Sequence, residues 1–529
     1  MAKSYRRVDR EQGFLLPPDM REWLPASDPV WLVIEVIEQH LDTSAFHRLR
    51  RRGGAGRAGY DPDVLLTLLV WGWLQGVSSS RRLERLCSRD VSFRVICAGD
   101  APDHVTIARF RAEFGDAVES LFAEVLVLCH RLGLGRVELV AVDGTRIAAP
   151  ASGDANRTEE GLRRAEQAEA EREAARRAAR EAARVHAAAD AAEDAMFGAG
   201  RGDEIDDGPG SGLSARSMRI AEALAELRAE REAAEAGEVA RQAERAERRA
   251  AAVGPPTGRP PAGGEVVLAE QAVARARAEV EQRQQRWMSS GKGRNPAPGG
   301  VDEQWRVRQA KARLERARQT VRRREAREAA RPSPAGQMMR NITDPQSRLL
   351  SVKGGWVQGY NAQAAATCDG IILATAVSNS GSDAAAFIPL MHAAVAAAQQ
   401  MGAGPIGLLL ADAGYLTVGN LAAPGPDRLI AVGKHRERQA ARDQAAARGR
   451  SNRAPEIEAM QARLSTPEAM AAYRRRGPTI ETVFGNGKHN WKFTRFTGAG
   501  LKRAQADWAF HGIVHNLSKI INRLAAQPS

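Results

Sequence analysis

Two apolar runs in this 529-residue chain stop at an aspartate. Residues 137–146 read V-E-L-V-A-V-D-G-T-R, with Asp143 closing the run, and residues 406–415 read I-G-L-L-L-A-D-A-G-Y, with Asp412 closing it. Strands buried on both faces read as near-continuous Val, Leu and Ile, so each run predicts an interior strand ending in a carboxylate. A charge in that position is unfavourable unless something compensates it. It either caps the following turn or ligates a cation, and the second copy of the pattern favours the cation. Two such carboxylates call for a third ligand. Glu481 offers one, in the stretch 473–491, Y-R-R-R-G-P-T-I-E-T-V-F-G-N-G-K-H-N-W. Pro478 suits the first turn of a helix, which places Glu481 in that turn, where the helix dipole also favours a carboxylate. Lys488 lies seven residues on and shares the helix face of Glu481, although Gly485 and Gly487 weaken the helix between them.

The elements that carry these residues sit in a basic chain. A length of 529 residues exceeds one core and suggests two to four units. The 77 Lys and Arg against 64 Asp and Glu leave a net charge of +13. That excess points to an anionic partner, nucleic acid ahead of a membrane surface, though solvated Arg-rich helices contribute to it as well. Cys87, Cys97, Cys129 and Cys368 are scattered without C-x-x-C spacing. The pattern argues against a disulfide framework or a zinc site and fits a reducing compartment. The opening M-A-K-S-Y-R-R lacks the apolar core of a signal peptide, and no apolar run reaches about 20 residues. A soluble, cytoplasmic protein is expected.

Residues 1–25 read as irregular, with Pro17, Pro18 and Pro25. A helix follows from Asp28, with Ser27 as its N-cap and Pro29 in its first turn. After a basic, glycine-interrupted link at 48–57 comes a capped, strongly apolar helix over 61–74. Short helices follow through 79–97, and another starts near His104 in D-H-V-T-I-A-R-F-R. This run of short helices fits a helix-turn-helix-like DNA-binding module or an ordinary helical bundle with solvated arginines. Past Asp143 the text becomes Ala, Arg and Glu over 157–195, 214–250, 265–288 and 301–330, broken by Gly/Pro-rich loops. These segments have high helix propensity and Glu/Arg pairs at i,i+4, but their apolar stripe is mostly alanine. They predict helical hairpins or antiparallel coiled coils, the first up to about 57 Å long. The acidic cluster Asp203, Glu204, Asp206 and Asp207 has no ligand spacing and reads as a solvated loop. From Arg348 strand text resumes: 356–367 and 370–377 meet at a tight turn, an alanine-rich helix spans 384–400, and a last strand lies near 429–432. His511 and His515 stand at i,i+4 among Trp508, Phe510, Ile513 and Leu517, which reads as a core helix rather than a chelate.

These residues together carry a resemblance. The chain resembles the DDE transposases of bacterial insertion sequences, in the branch with an all-helical N-terminal domain of the InsH-like type. A-V-D-G-T looks like the first acidic motif, L-A-D-A-G-Y like the second, and Tyr473, Arg476, Glu481 and Lys488 like the signature around the third. N-I-T-D-P-Q-S-R at 341–348 and G-Y-N-A-Q at 359–363 support it. Four residues separate Arg476 from Glu481, one more than the general signature has, and the neighbouring Arg475 stands one residue further off still. Lys434, His435 and Arg436 face either DNA or solvent.

The resemblance implies an α/β, ribonuclease-H-like mixed sheet as catalytic domain, its first strand at 136–155 and its remainder at 337–529. A helical DNA-binding domain at 1–135 would precede it, and a long helical, coiled-coil-like insertion at 156–336 would interrupt it. Asp143, Asp412 and Glu481 would bind two Mg²⁺ ions, with Mn²⁺ as a substitute, and Tyr473, Arg476 and Lys488 would hold the DNA backbone. The expected partners are terminal inverted repeats, target DNA and a second copy of the chain in a synaptic complex. Two other readings share the sequence: a ribonuclease-H-like nuclease without strand transfer, and an inert DNA-binding or scaffold protein.

Overall fold

The computed structural model describes residues 5–6, 19–48, 59–113, 115–197, 215–251, 264–289, 300–329, 338–433 and 454–526. Pro17 and Pro18, the link at 49–57, the acidic cluster at 203–207 and Lys434, His435 and Arg436 lie outside the described residues. The chain divides into two compact units. One comprises Met1–Arg157, Gly161–Leu224 and Arg340–Ser529, the other Thr158–Glu160 and Ala225–Met339.

The first unit opens with helices whose starts are set by aspartate caps. Asp28 accepts the Val30 N–H at 2.9 Å and starts α1, Pro29–Glu35. The cap is therefore Asp28 and not Ser27. Its carboxylate sits directly before Pro29, whose fixed φ suits the first helical position. Asp61 accepts the Asp63 N–H and starts α2, Pro62–Leu74, which is buried along almost its whole length. Then come α3, Ser80–Arg89, α4, Val91–Ile96, α5, His104–Ala112, and α6, Gly115–Arg131. The sequence reading passed over α6, although Val118, Leu121, Val125 and Cys129 repeat at helical spacing and are all buried. In α5 the basic text is not one solvent face: Arg111 is buried and donates to the Ser78 carbonyl at 2.8 Å.

Six strands form one mixed sheet: β1, Leu139–Ala148, β2, Arg348–Val352, β3, Gly355–Thr367, β4, Ile372–Ser378, β5, Leu408–Ala411, and β6, Asp427–Ile430. The spatial path is β6-β5-β1-β3-β2, with β4 also paired to β3. β6, β5 and β1 run parallel, and β3 is antiparallel to β1, β2 and β4. Phe387–Gln400 forms helix α11 on the way from β4 to β5.

β1 does not end at Asp143. It runs on to Ala148, because β3 pairs it as far as Ala148↔Gly359 while the parallel pairing with β5 stops at Val142↔Ala411. The apolar text ends where β1 loses one neighbour, not where the strand ends. Gly359 makes the longer pairing possible, since a Cβ there would lie 2.1 Å from the Ile147 carbonyl oxygen.

Cross-strand partners share a sheet face. Asp143 and Thr145 thus face one side with Ala364 and Ala362, while Gly144 and Arg146 face the other with Gln363 and Asn361. On the Asp143 side lie α14, Arg476–Gly485, and α15, Leu501–Ala525, after the shorter α12, Pro455–Arg463, and α13, Pro467–Arg474. Trp508 of α15 stacks on Phe484 of α14 and donates its indole N–H to the Gln363 carbonyl at 2.7 Å. One hydrophobic core joins sheet and N-terminal helices, with Trp73 of α2 packed edge-on to Phe510 at 5.2 Å.

The alanine-rich stretches are helices within a few residues of the expected bounds: α7, Glu159–Phe197, α8, Ala215–Ala251, α9, Gly264–Ser289, and α10, Trp305–Ala329. Glu173 accepts from Ser217 at 2.8 Å and Glu159 from Arg231, so α7 and α8 run antiparallel. Arg306 reaches Glu279 and Arg318 reaches Glu270, each at 3.1 Å, so α9 and α10 do the same. No helix among the described residues is long and apolar enough to cross a membrane.

Candidate active site

The parallel register carries Asp143 and Asp412 to neighbouring positions, one residue beyond the last pair Val142↔Ala411. Asp412 caps the 3₁₀ turn Ala413–Tyr415, its Oδ1 accepting the Gly414 N–H at 2.8 Å. Asp143 Oδ1 accepts the N–H of its neighbour Gly144 at 2.8 Å, and Oδ2 accepts from Arg476 Nη1 at 2.9 Å. Burial pushes the Asp412 carboxyl above the ordinary carboxylate range. The Asp143 charge adds to this, Gly414 and Arg476 oppose it, and Asp383 adds again. For Arg476, burial disfavours the charge, but the hydrogen bond and charge of Asp143 outweigh it and hold the guanidinium above its ordinary pKa. Arg476, not Arg475, is thus the arginine that reaches the first acid.

Tyr473 donates its hydroxyl to the Ala411 carbonyl at 3.2 Å, which braces the backbone just before Asp412. Lys488 Nζ donates to the Thr145 hydroxyl, two residues past Asp143 on the same face. Burial, then the nearby Arg146, lower the Lys488 pKa. Glu481 sits differently from the expectation. Its helix, α14, begins at Arg476, two residues before Pro478. Proline is tolerated throughout the first turn because those N–H groups have no intrahelical partner, so Glu481 falls in the second turn. It is exposed, with its carboxylate beside Gly477. The glycines do not break the helix but mark its passage into a π turn, Asn486–Asn490. The wider turn rotates Lys488 away from the α-helical i,i+7 position and toward Thr145. Among the described residues, the three acids are not drawn within 4.8 Å of one another. The group of three that is drawn so close, His47, Asp61 and Asp63, surrounds the start of α2.

Two family models match the chain. Residues 18–113 match the Transposase domain (DUF772), and residues 436–521 match the Transposase DDE domain. Together the two matches support a DDE transposase of the insertion-sequence type. No curated protein and no solved structure matches it. The second match takes in Tyr473, Arg476, Glu481 and Lys488, while Asp143 and Asp412 lie outside both. Enzymes of this type act on DNA and use divalent metal, and the donors gathered here suit one: carboxylate oxygens at neighbouring positions of adjacent strands, that of Asp412 raised in pKa by burial and then by the charge of Asp143.

The chain buries both His511 and His515. His511 packs in a cluster with Phe493 and Trp508, near-parallel to both rings, and His515 Nε2 lies 2.8 Å from the Gly370 carbonyl oxygen. Burial takes His511 down to about 3 and His515 to about 4, so both are neutral core residues. His511 also explains Gly487, where a Cβ would lie 2.7 Å from its ring.

Sequence reasoning missed a second tier of the candidate site. Asp383, Asn361, Gln363 and Arg146 form one hydrogen-bonded group behind Asp143 and Asp412. The signal was present in G-Y-N-A-Q, two amides two residues apart and so on one face of a strand whose following text is alanine. Asp383 itself stands in loop text, S-N-S-G-S-D, that reads only as a turn and a helix start.

Proposed function

We propose that this transposase cuts the ends of its element and joins each freed 3′-OH to target DNA, with Asp143, Asp412 and Glu481 as its catalytic acids. The observation that carries the reading is the pairing of Asp143 with Arg476 beside Asp412. It brings residues from all three acidic motifs to the place where the β1–β5 pairing stops. The strand order, with three parallel strands followed across the sheet by the one reversed strand β3 and its partners β2 and β4, supports a ribonuclease-H-like catalytic domain at 136–155 and 337–529. Residues 1–135 form the DNA-binding domain and residues 156–336 the insertion.

The acids would hold two Mg²⁺ ions, or Mn²⁺ in their place, supplying activation of the attacking oxygen and stabilisation of the leaving oxygen in an in-line displacement. In the first step water attacks a phosphodiester at the element end, the P–O bond to the 3′ oxygen breaks, and a 3′-OH is released. In the second that 3′-OH attacks a target phosphodiester, forming one P–O bond as another breaks. Arg476 and Lys488 neutralise phosphate charge, the first with a planar fork and the second as a point charge, while Tyr473 steadies the strand end that carries Asp412. Two element ends would be synapsed by a homodimer.

The test is cleavage and joining on a DNA fragment carrying the gene's own flanks, with Mg²⁺, Mn²⁺ or EDTA. Metal-dependent cleavage and joined products that vanish in Asp412→Asn and Glu481→Gln are expected. Cleavage without joining would instead identify a ribonuclease-H-like nuclease, binding without cleavage an inert binder. Cleavage that survives both substitutions would place the active site elsewhere.

A further inference from the structure

We infer that Asp383, Gln363 and Tyr415 form a positioning relay that fixes Asp412 from the reverse face of the sheet. The inference rests on the catalytic role proposed for Asp412. Asp383 Oδ1 accepts from Gln363 Nε2 at 2.7 Å, from Asn361 Nδ2 at 2.7 Å and from Arg146 Nη1 at 3.2 Å. Gln363 Oε1 in turn accepts from the Tyr415 hydroxyl. Tyr415 closes the 3₁₀ turn that Asp412 caps, and Asn420 holds the Tyr415 carbonyl at 2.8 Å. Gln363 and Tyr415 are both completely buried.

The chemistry of the groups gives the relay one polarity. An ionised carboxylate only accepts, so it selects the amide nitrogen of Gln363, which leaves the amide oxygen for Tyr415, a hydroxyl that must then donate. Each link orients the next, and in a buried setting each unmade bond is expensive. Two glycines make room for the relay. A Cβ on Gly144, next to Asp143, would lie 2.3 Å from Gln363 Nε2. A Cβ on Gly414 would lie 3.0 Å from Asp412 Oδ1 and 3.1 Å from Asp383 Oδ2. The glycines after the two acids, the amides of G-Y-N-A-Q and the aromatic of A-D-A-G-Y are therefore parts of one device. Tyr473, on Ala411, braces the same strand end from the other side.

Tyr415→Phe, which removes one oxygen, and Asp383→Asn, which keeps the shape and removes the charge, test the relay in the full chain. Three quantities are read: the cleavage rate at saturating DNA, the Mg²⁺ concentration for half-maximal rise in Tm, and hydrogen exchange across residues 412–416 without metal. The relay predicts a roughly 10- to 100-fold lower rate or weaker Mg²⁺ response in each single variant, the range typical of residues that orient metal ligands. It also predicts faster exchange confined to the 412–416 turn, near-unchanged DNA affinity, and a double variant no worse than the poorer single one. Wild-type Mg²⁺ response and exchange in Tyr415→Phe would overturn it, as would strictly additive effects. Should Asp383→Asn fail to fold, Tyr415→Phe alone decides. Asp412→Asn run alongside separates the two levels: if it abolishes cleavage while the relay variants behave as wild type, only the relay falls. If it leaves cleavage intact, the proposed site itself falls and the relay with it.

Discussion

Arg476 on Asp143 and Arg318 on Glu270 are both arginine–carboxylate pairs, at 2.9 and 3.1 Å, yet they belong to different physical regimes. Beside the sheet the partners are 16% and 20% exposed, and Asp143 is held further by the Gly144 N–H. In the α9–α10 hairpin they are 49% and 50% exposed, and water screens them. Around the strand ends a few charges are buried at a cost and made specific. Along the helices many charges keep the surface solvated while alanine and a thin line of Val280, Val307 and Ala310 supply the contact between helices. Burial, more than pairing distance, decides what a charge does.

The contrast can be broken in four places. Asp143→Asn should give the largest effect. Cleavage should fall by more than about a thousandfold, several kcal/mol of lost electrostatic stabilisation, with element-end binding retained in a gel-shift assay. Gly359→Ala, in the same strands, forces a methyl group onto the Ile147 carbonyl and should destabilise the fold by about 1–3 kcal/mol in urea titration. Asp412→Asn should do the opposite to stability. The folded protein holds this carboxyl above its unfolded pKa, so protonation favours folding and the contribution is lost as pH rises through the folded value. At neutral pH the ionised wild type therefore carries a penalty that asparagine removes. The variant should be more stable, within the roughly 0.5–2 kcal/mol that stabilising changes give, and the gain should shrink as pH falls through that folded value. Equal Tm values for the two proteins at pH 7 would contradict this. Arg318→Ala with Glu270→Ala should show the least, a coupling under about 1 kcal/mol that salt weakens further, and no change in cleavage.

What could be read in advance follows the same division. The helices of the insertion were legible to within a few residues because propensity and loop composition decide them locally. Asp143 and Asp412 were legible because an abrupt carboxylate contradicts its apolar run. The continuation of β1 past Asp143 was not, since it depends on which neighbour continues beside it. The start of α14 at Arg476 was hidden by Pro478, which is acceptable at any place in a first turn. Asp383 was invisible for a similar reason. Its meaning comes entirely from partners on β1 and β3, and Arg146 and Asn361 are themselves 215 residues apart.

That separation also has a temporal side. At roughly 5–20 residues per second, synthesis reaches β3 some 10–40 seconds after β1 has been made. Meanwhile the intervening helices can form from contacts along their own length, whereas β1 has neither of the strands that will flank it. Its Val-rich backbone edges are then open to any other strand, including that of another nascent chain. Asp143 and Arg146 place charge at the far half of that waiting strand, where it works against such mispairing. Asp143 is thus also positioned to protect the strand that carries it before the sheet exists.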